Sequence, residues 1–98
     1  MTSSGGEGED GPWQVVATGR FNRDLARLPL RVAAAIVEFV TVLLPENPRR
    51  MTEALTGGLD GYRSARRGDY RVIVRLDESR RIVILHRAAH RAHVYRPR

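Results

Sequence analysis

Ninety-eight residues, 42% of them hydrophobic, suffice for one domain and leave no room for a second core. The absence of cysteine excludes a disulfide framework and a thiolate metal site. The longest apolar run, Val32 to Leu44, is interrupted by Glu38 and Thr41 and is too short to span a bilayer, so a cytoplasmic chain is expected.

Charge divides the chain in two. Residues 1–12 hold Glu7, Glu9 and Asp10 and no cation among Gly and Ser, a composition that predicts a disordered acidic tail. Residues 13–98 hold all 17 cations against eight acids, a net charge of +9, and form the predicted folded domain. Every cation is arginine. Guanidinium groups stay charged and grip phosphate bidentately, so the surface suits a polyanion and offers no amine that burial turns into a general base.

Structure is expected to begin with a short strand at Trp13–Ala17. Thr18 is a helix N-cap, and Phe21, Leu25 and Leu28 recur at helical spacing, with Arg20, Arg23, Asp24 and Arg27 on the outer face. A second helix starts at Pro29 and buries Val32, Ala33, Ile36, Val40 and Leu43 until Pro45 and Pro48 end it. Glu46 to Gly61 reads as loop, punctuated by Gly57, Gly58 and Gly61. The period then changes to two: Tyr62–Arg67, Tyr70–Leu76 and Arg81–His86 are predicted as an antiparallel meander, with a last short strand at His93–Tyr95. The architecture is α+β, in the order β-α-α-β-β-β(-β), with a helical hairpin on one face of a small twisted, mainly antiparallel sheet.

If Tyr70, Val72, Val74 and Leu76 lie under the helices, Arg71 and Arg75 point to the opposite face. Arg63, Arg66, Arg67, Arg87 and Arg91 are expected to converge there, interleaved with Tyr62 and Tyr95. Guanidinium groups for phosphates and aromatic rings for bases are what single-stranded RNA binding requires. The three histidines lack acidic or thiolate companions at ligand spacing, so no metal and no cofactor is expected. His86 alternates with apolar residues and reads as structural.

The stretch Ser64-Ala65-Arg66-Arg67-Gly68-Asp69-Tyr70-Arg71-Val72-Ile73 resembles the strand-turn-strand signature of the RelE toxin family. Phe21-Asn22-Arg23-Asp24-Leu25-Ala26-Arg27-Leu28-Pro29 is similar to that family's first helix, Leu55 to Gly61 to its linker, and His90-Arg91-Ala92-His93-Val94-Tyr95-Arg96 to its closing motif. The resemblance runs from Trp13 to Arg96. It implies a type II toxin that cuts messenger RNA on the ribosome by attack of a ribose 2′-hydroxyl on the adjacent phosphate, without metal. It also implies a RelB-like antitoxin partner, expected to present an acidic amphipathic segment to so basic a body.

The same resemblance makes Arg71 the phosphate-stabilising arginine and Tyr95 the residue that stacks on or orients the nucleotide. Arg66 falls on the second position of a basic pair whose first position is Ser64, a departure. Family members often carry lysine there, and this chain has none. Arg66 is then an electrostatic stabiliser, and histidine is the natural proton carrier. His90, beside Arg91 in the closing motif, is favoured over His93. The catalytic set expected is Arg66, Arg71, His90, Arg91 and Tyr95, with Arg63, Arg67, Arg75 and Arg87 binding RNA. Two other readings share the fold class: a ParE-type inhibitor of DNA gyrase, and a non-catalytic nucleic-acid-binding module.

Overall fold

The computed structural model describes residues 11–94. The acidic stretch 1–10 and the C-terminal 95–98, with the predicted disorder of the first and the role of Tyr95, lie outside the described residues. Five strands and three helices alternate as β1 (Gln14–Ala17), α1 (Gly19–Arg27), α2 (Leu30–Glu38), α3 (Pro48–Met51), β2 (Glu53–Ala54), β3 (Arg63–Arg67), β4 (Tyr70–Asp77) and β5 (Ile82–His90). The sheet order is β1-β5-β4-β3-β2. β1 runs parallel to β5 and the other pairings are antiparallel. No helix among the described residues is long and apolar enough to cross a membrane.

Thr18 caps α1 as its position predicts: its Oγ1 accepts the Phe21 N–H at 3.1 Å and donates to the Leu85 carbonyl in the middle of β5. One hydroxyl thus starts the helix and fastens it to the sheet. Pro29 stands immediately before α2. Beyond Glu38 the helix widens into a π turn at Phe39–Leu43 and tightens into a 3-10 turn at Leu44–Glu46. The extra residue per turn rotates the buried face, so that Phe39, Val40 and Leu44 enter the core while Leu43 is 44% exposed. A regular 3.6 period placed Leu43 inward, and the π turn corrects it.

The core joins Phe21, Ile36, Phe39, Val40 and Leu44 of the helical layer to Ala65, Val72, Val74, Val83, Leu85 and Ala88 of the sheet. Asp24 belongs to the inner face of α1 rather than the outer one. Its carboxylate is buried and accepts from the Ala88 N–H at 2.9 Å and the Arg87 Nε at 3.2 Å, with Arg20 3.5 Å away. β1 ends opposite Leu85, and the carboxylate takes over the edge of β5 that the strand leaves bare.

The stretch predicted as loop is partly regular. Asn47 accepts the Arg50 N–H and Pro48 opens the one-turn α3. Glu53 and Ala54 pair with Ser64 and Arg63 as β2. Two further boundaries differ from the sequence reading. β5 continues to His90, and Arg91–Val94 form a turn in which the His93 and Val94 N–H groups both donate to the His90 carbonyl. That hydrogen bonding replaces the predicted last strand over His93 and Val94. At the other end Gly11, assigned to the tail, accepts from the Arg81 guanidinium, which also lies over the Trp13 ring.

Candidate nucleic-acid interface

Register decides which arginines share a face. Paired residues of antiparallel strands project to the same side. Ala65 pairs with Val72 and Arg63 with Val74, all toward the helices, whereas Ser64 pairs with Ile73 and Arg66 with Arg71 on the other side. Ile73 is buried yet stands outside the core cluster, as that placement requires.

Arg66 and Arg71 are thus direct cross-strand neighbours. Two like charges in that position repel, and among the described residues neither forms an ion pair with a carboxylate. The Arg71 guanidinium rests instead on two turn carbonyls, Tyr70 at 3.3 Å and Gly68 at 3.5 Å. Gly68 makes the turn possible with φ +60°. Both arginines line a groove of about 330 Å³ together with Arg50, Thr52, Glu53, Leu55 and Ser64. Three guanidinium groups against the single carboxylate of Glu53 leave the concavity net cationic and suited to an anion.

Arg50 is the residue that sequence reasoning missed. The signal was present in Asn47-Pro48, a cap followed by the proline of a first helical turn, inside a segment rich in turn residues.

The other predicted arginines divide. Arg75 stays on the outer face and exposed, with its guanidinium 5.2 Å from the Tyr62 ring centroid. Arg63 projects to the helical side, where its Nε donates to Thr52 Oγ1 at 2.7 Å and its Nη2 to the Thr52 and Arg49 carbonyls. It holds α3 and β2 against the sheet and does not join the groove. Arg67 also turns inward, 3.8 Å above the centre of the Phe39 ring, with its Nε buried and unpartnered. Arg87 is held by Asp24 and donates from Nη1 to the Val94 carbonyl at 3.2 Å. These three are structural cations in this fold.

A bulge leaves Arg87 paired with Ile73 on the outer face, and its side chain reaches Asp24 at the edge of β5 that β1 leaves bare. Ile73 pairs with Arg87 but Val74 with Leu85, so His86 is an extra residue on β5. The inward positions therefore change from odd numbers at Val83 and Leu85 to an even one at Ala88. His86 meets Tyr62 edge-on at 5.0 Å. Partial burial, and then the Arg75 charge, push its pKa below the usual histidine value.

The same parity separates His90 from the arginine pair. Arg71 stands opposite Ala89, and His90 opposite Tyr70, with the two rings edge-on at 5.4 Å. His90 Nδ1 accepts the Ala92 N–H at 3.1 Å. A neutral ring that accepts at Nδ1 carries its proton on Nε2, so the free nitrogen is a donor and the basic one is already engaged. His93 lies 6.1 Å from His90, ring to ring. Arg91 is exposed in the turn, its backbone N–H bonded to the Asp69 carbonyl at 2.8 Å. No group of three His, Cys, Asp or Glu side chains among the described residues is disposed to hold a metal.

Residues 15–95 match the family model for the ParE toxin of the type II toxin-antitoxin system parDE. The chain is 44% identical to Toxin RelE of Mycobacterium tuberculosis over 95 residues, covering 92% of this chain and 98% of that protein. It is 42% identical over 85 residues to Toxin RelG of the same organism, covering 87% of this chain and 98% of that protein. A solved M. tuberculosis structure, the RelBE2 toxin-antitoxin complex, contains a chain that superposes with a TM-score of 0.79 at 40% identity, over 82% of this chain and 99% of that one. The protein therefore belongs to the RelE/ParE family of toxins from type II toxin-antitoxin systems.

Proposed function

We propose that this toxin is a ribosome-dependent endoribonuclease that cleaves messenger RNA. A ribose 2′-hydroxyl attacks the adjacent phosphate and the 5′-oxygen leaves, a reaction written without a metal ion. The observation that carries the reading is the Arg66–Arg71 pair, cross-strand partners on the sheet face away from the helices that line one groove with Arg50. Their mutual repulsion is relieved by a bound phosphate and relieved further as negative charge grows in the transition state, which is the differential binding that catalysis needs. Arg75 extends the cationic track along the strand. Arg91, His90 and Tyr95 belong to the closing motif. His90, on the helical side at the end of β5, serves through its Nε2 hydrogen only as a donor to RNA that passes round that end of the sheet, and Tyr95 orients the nucleotide.

The partner proposed is an antitoxin, in keeping with the complex known for the M. tuberculosis relative. Leu30, Val37 and Val42 leave the outer face of α2 and its continuation apolar and 43–85% exposed, beside Arg27 and Arg31. An acidic amphipathic segment complements that surface in both respects.

Programmed ribosomes test the nuclease reading. Cleavage phased to codons in the decoding site is expected, slowed roughly tens- to a thousandfold by Arg71→Ala. The matched family model carries the name of ParE toxins, which gives the second reading its support. Inhibition of DNA gyrase supercoiling with no RNA cut overturns the first reading in its favour.

A further inference from the structure

Tyr62, Arg75 and His86 form a contact set at the other end of the face that carries Arg66 and Arg71. Continuing the Arg63–Val74 register by one residue puts Tyr62 opposite Arg75, which pairs on its far side with Ile84. The bulge then delivers His86 against the edge of the Tyr62 ring. The Arg75 guanidinium lies over Tyr62 and within 3.7 Å of the position a Cβ would take on Gly61, whose φ of +91° lets the chain turn there. Arg75 itself is exposed and, with Ile84, His86 and the carboxylates of Asp77 and Glu78, lines a groove of about 560 Å³ whose rim Tyr62 adjoins through Arg75 and His86. Four residues of strand separate it from Arg71, about 13 Å.

We infer that Tyr62, Arg75 and His86 form a base-stacking subsite that takes an unpaired nucleobase neighbouring the nucleotide whose phosphate sits between Arg66 and Arg71. The inference rests on the nucleic-acid reading of that pair. The exposed Arg75 guanidinium, 5.2 Å from the centre of the Tyr62 ring, offers a planar cationic surface on which any base stacks. The ring edges of Tyr62 and His86 close the flank. The apolar Ile84 and the Asp77 and Glu78 carboxylates beside them favour a base over a phosphate, and the offset of about 13 Å places the subsite beyond the nucleotide at the arginine pair.

The test uses a short oligoribonucleotide made uncleavable by 2′-O-methylation, with 2-aminopurine placed at one position at a time. Wild-type protein is expected to quench the fluorophore strongly at a position adjoining the arginine-bound phosphate. Tyr62→Leu and Arg75→Gln should each abolish that quench and weaken binding roughly five- to a hundredfold, whereas Tyr62→Phe keeps both. Removing the base at that position should weaken wild type equally and leave Tyr62→Leu with no further loss. Quenching that persists in both Tyr62→Leu and Arg75→Gln, or an oligomer that wild type does not bind, overturns the subsite. Arg71→Ala separates the two readings. If it cuts RNA on ribosomes as well as wild type does while the quench responds to Tyr62, the nuclease assignment falls and the stacking subsite stands.

Discussion

Arg87 and the buried Asp24 are joined at 3.2 Å across 63 residues of sequence, and the same carboxylate accepts the Ala88 N–H. The pair binds the first helix to the last strand at the point where β1 stops. Arg87 spends its second contact on the Val94 carbonyl, 3.2 Å away, so the chain leading to Tyr95 hangs from this link.

Asp24→Ala leaves a buried amide and a half-buried guanidinium without their acceptor. A loss of about 2–4 kcal/mol in unfolding free energy is expected, toward the lower end because Arg87 retains some contact with water. Urea denaturation measures it. A change under 0.5 kcal/mol would show that water replaces the carboxylate without cost.

Arg66→Ala and Arg71→Ala should behave in the opposite way, sparing stability and removing activity. Each lies outside the core, and losing one of two phosphate contacts costs about 2–4 kcal/mol of transition-state stabilisation, a rate loss of roughly tens to a thousandfold. Removing either also relieves repulsion between like charges, so a slight gain in melting temperature is expected. Undiminished toxicity of a stably folded Arg71→Ala protein refutes the assignment.

Arg50→Ala extends that test to the groove wall. Arg50 faces the arginine pair from a one-turn helix and carries no packing role visible in its contacts, so RNA affinity should fall several-fold and stability stay within about 0.5 kcal/mol. Cleavage by single turnover on ribosomes distinguishes the effects, since a purely electrostatic contributor shows steeper loss at low salt.

The sequence made the hairpin, the meander and the Arg66–Arg71 pair legible because each rests on a local rule: a Thr cap, two prolines, an alternation of period two. What it hid were departures from those periods. The π turn exchanged Leu43 for Leu44, and the His86 bulge moved the inward set of β5 from Leu85 to Ala88, whose N–H Asp24 accepts. Arg63 and Arg67 were assigned to the cationic face with their neighbours, although parity alone put them with Ala65 toward the helices. Counting arginines overrode alternation there. A buried carboxylate such as Asp24 leaves no sequence mark, since its partners lie a whole domain away.

His86 gives the fold a pH dependence with a definite sign. Burial first, and the Arg75 charge second, hold its folded pKa below the ordinary 6.5. The unfolded chain then binds the proton more readily, and stability rises with pH between the folded and unfolded values. The fold is at full strength above 6.5 and loses stability as pH drops through that value toward the lowered one, below which the loss levels off. Melting temperatures of wild type and His86→Gln across that window check it. The variant should show a flatter slope, and an unchanged slope assigns the effect elsewhere.

The geometry of His90 makes the last prediction. A general base must present an unoccupied lone pair to the 2′-hydroxyl, and the Nδ1 lone pair of His90 already accepts the Ala92 N–H. Its strand position opposite Tyr70 puts the ring on the helical side of the sheet, so that it reaches RNA held by Arg66 and Arg71 only round the end of β4 and β5. A donor role through Nε2 needs only a hydrogen directed at the RNA, which the carboxamide of glutamine also supplies. His90→Gln should therefore retain cleavage within a few-fold of wild type, while His90→Ala, with no donor, should lose roughly ten- to a hundredfold. If His90 is instead the base, both variants lose activity alike, and the pH-dependent limb of the rate disappears from each. Single-turnover cleavage on programmed ribosomes, followed across pH for wild type and both variants, separates a donor from a base, because only a base makes glutamine as poor a substitute as alanine.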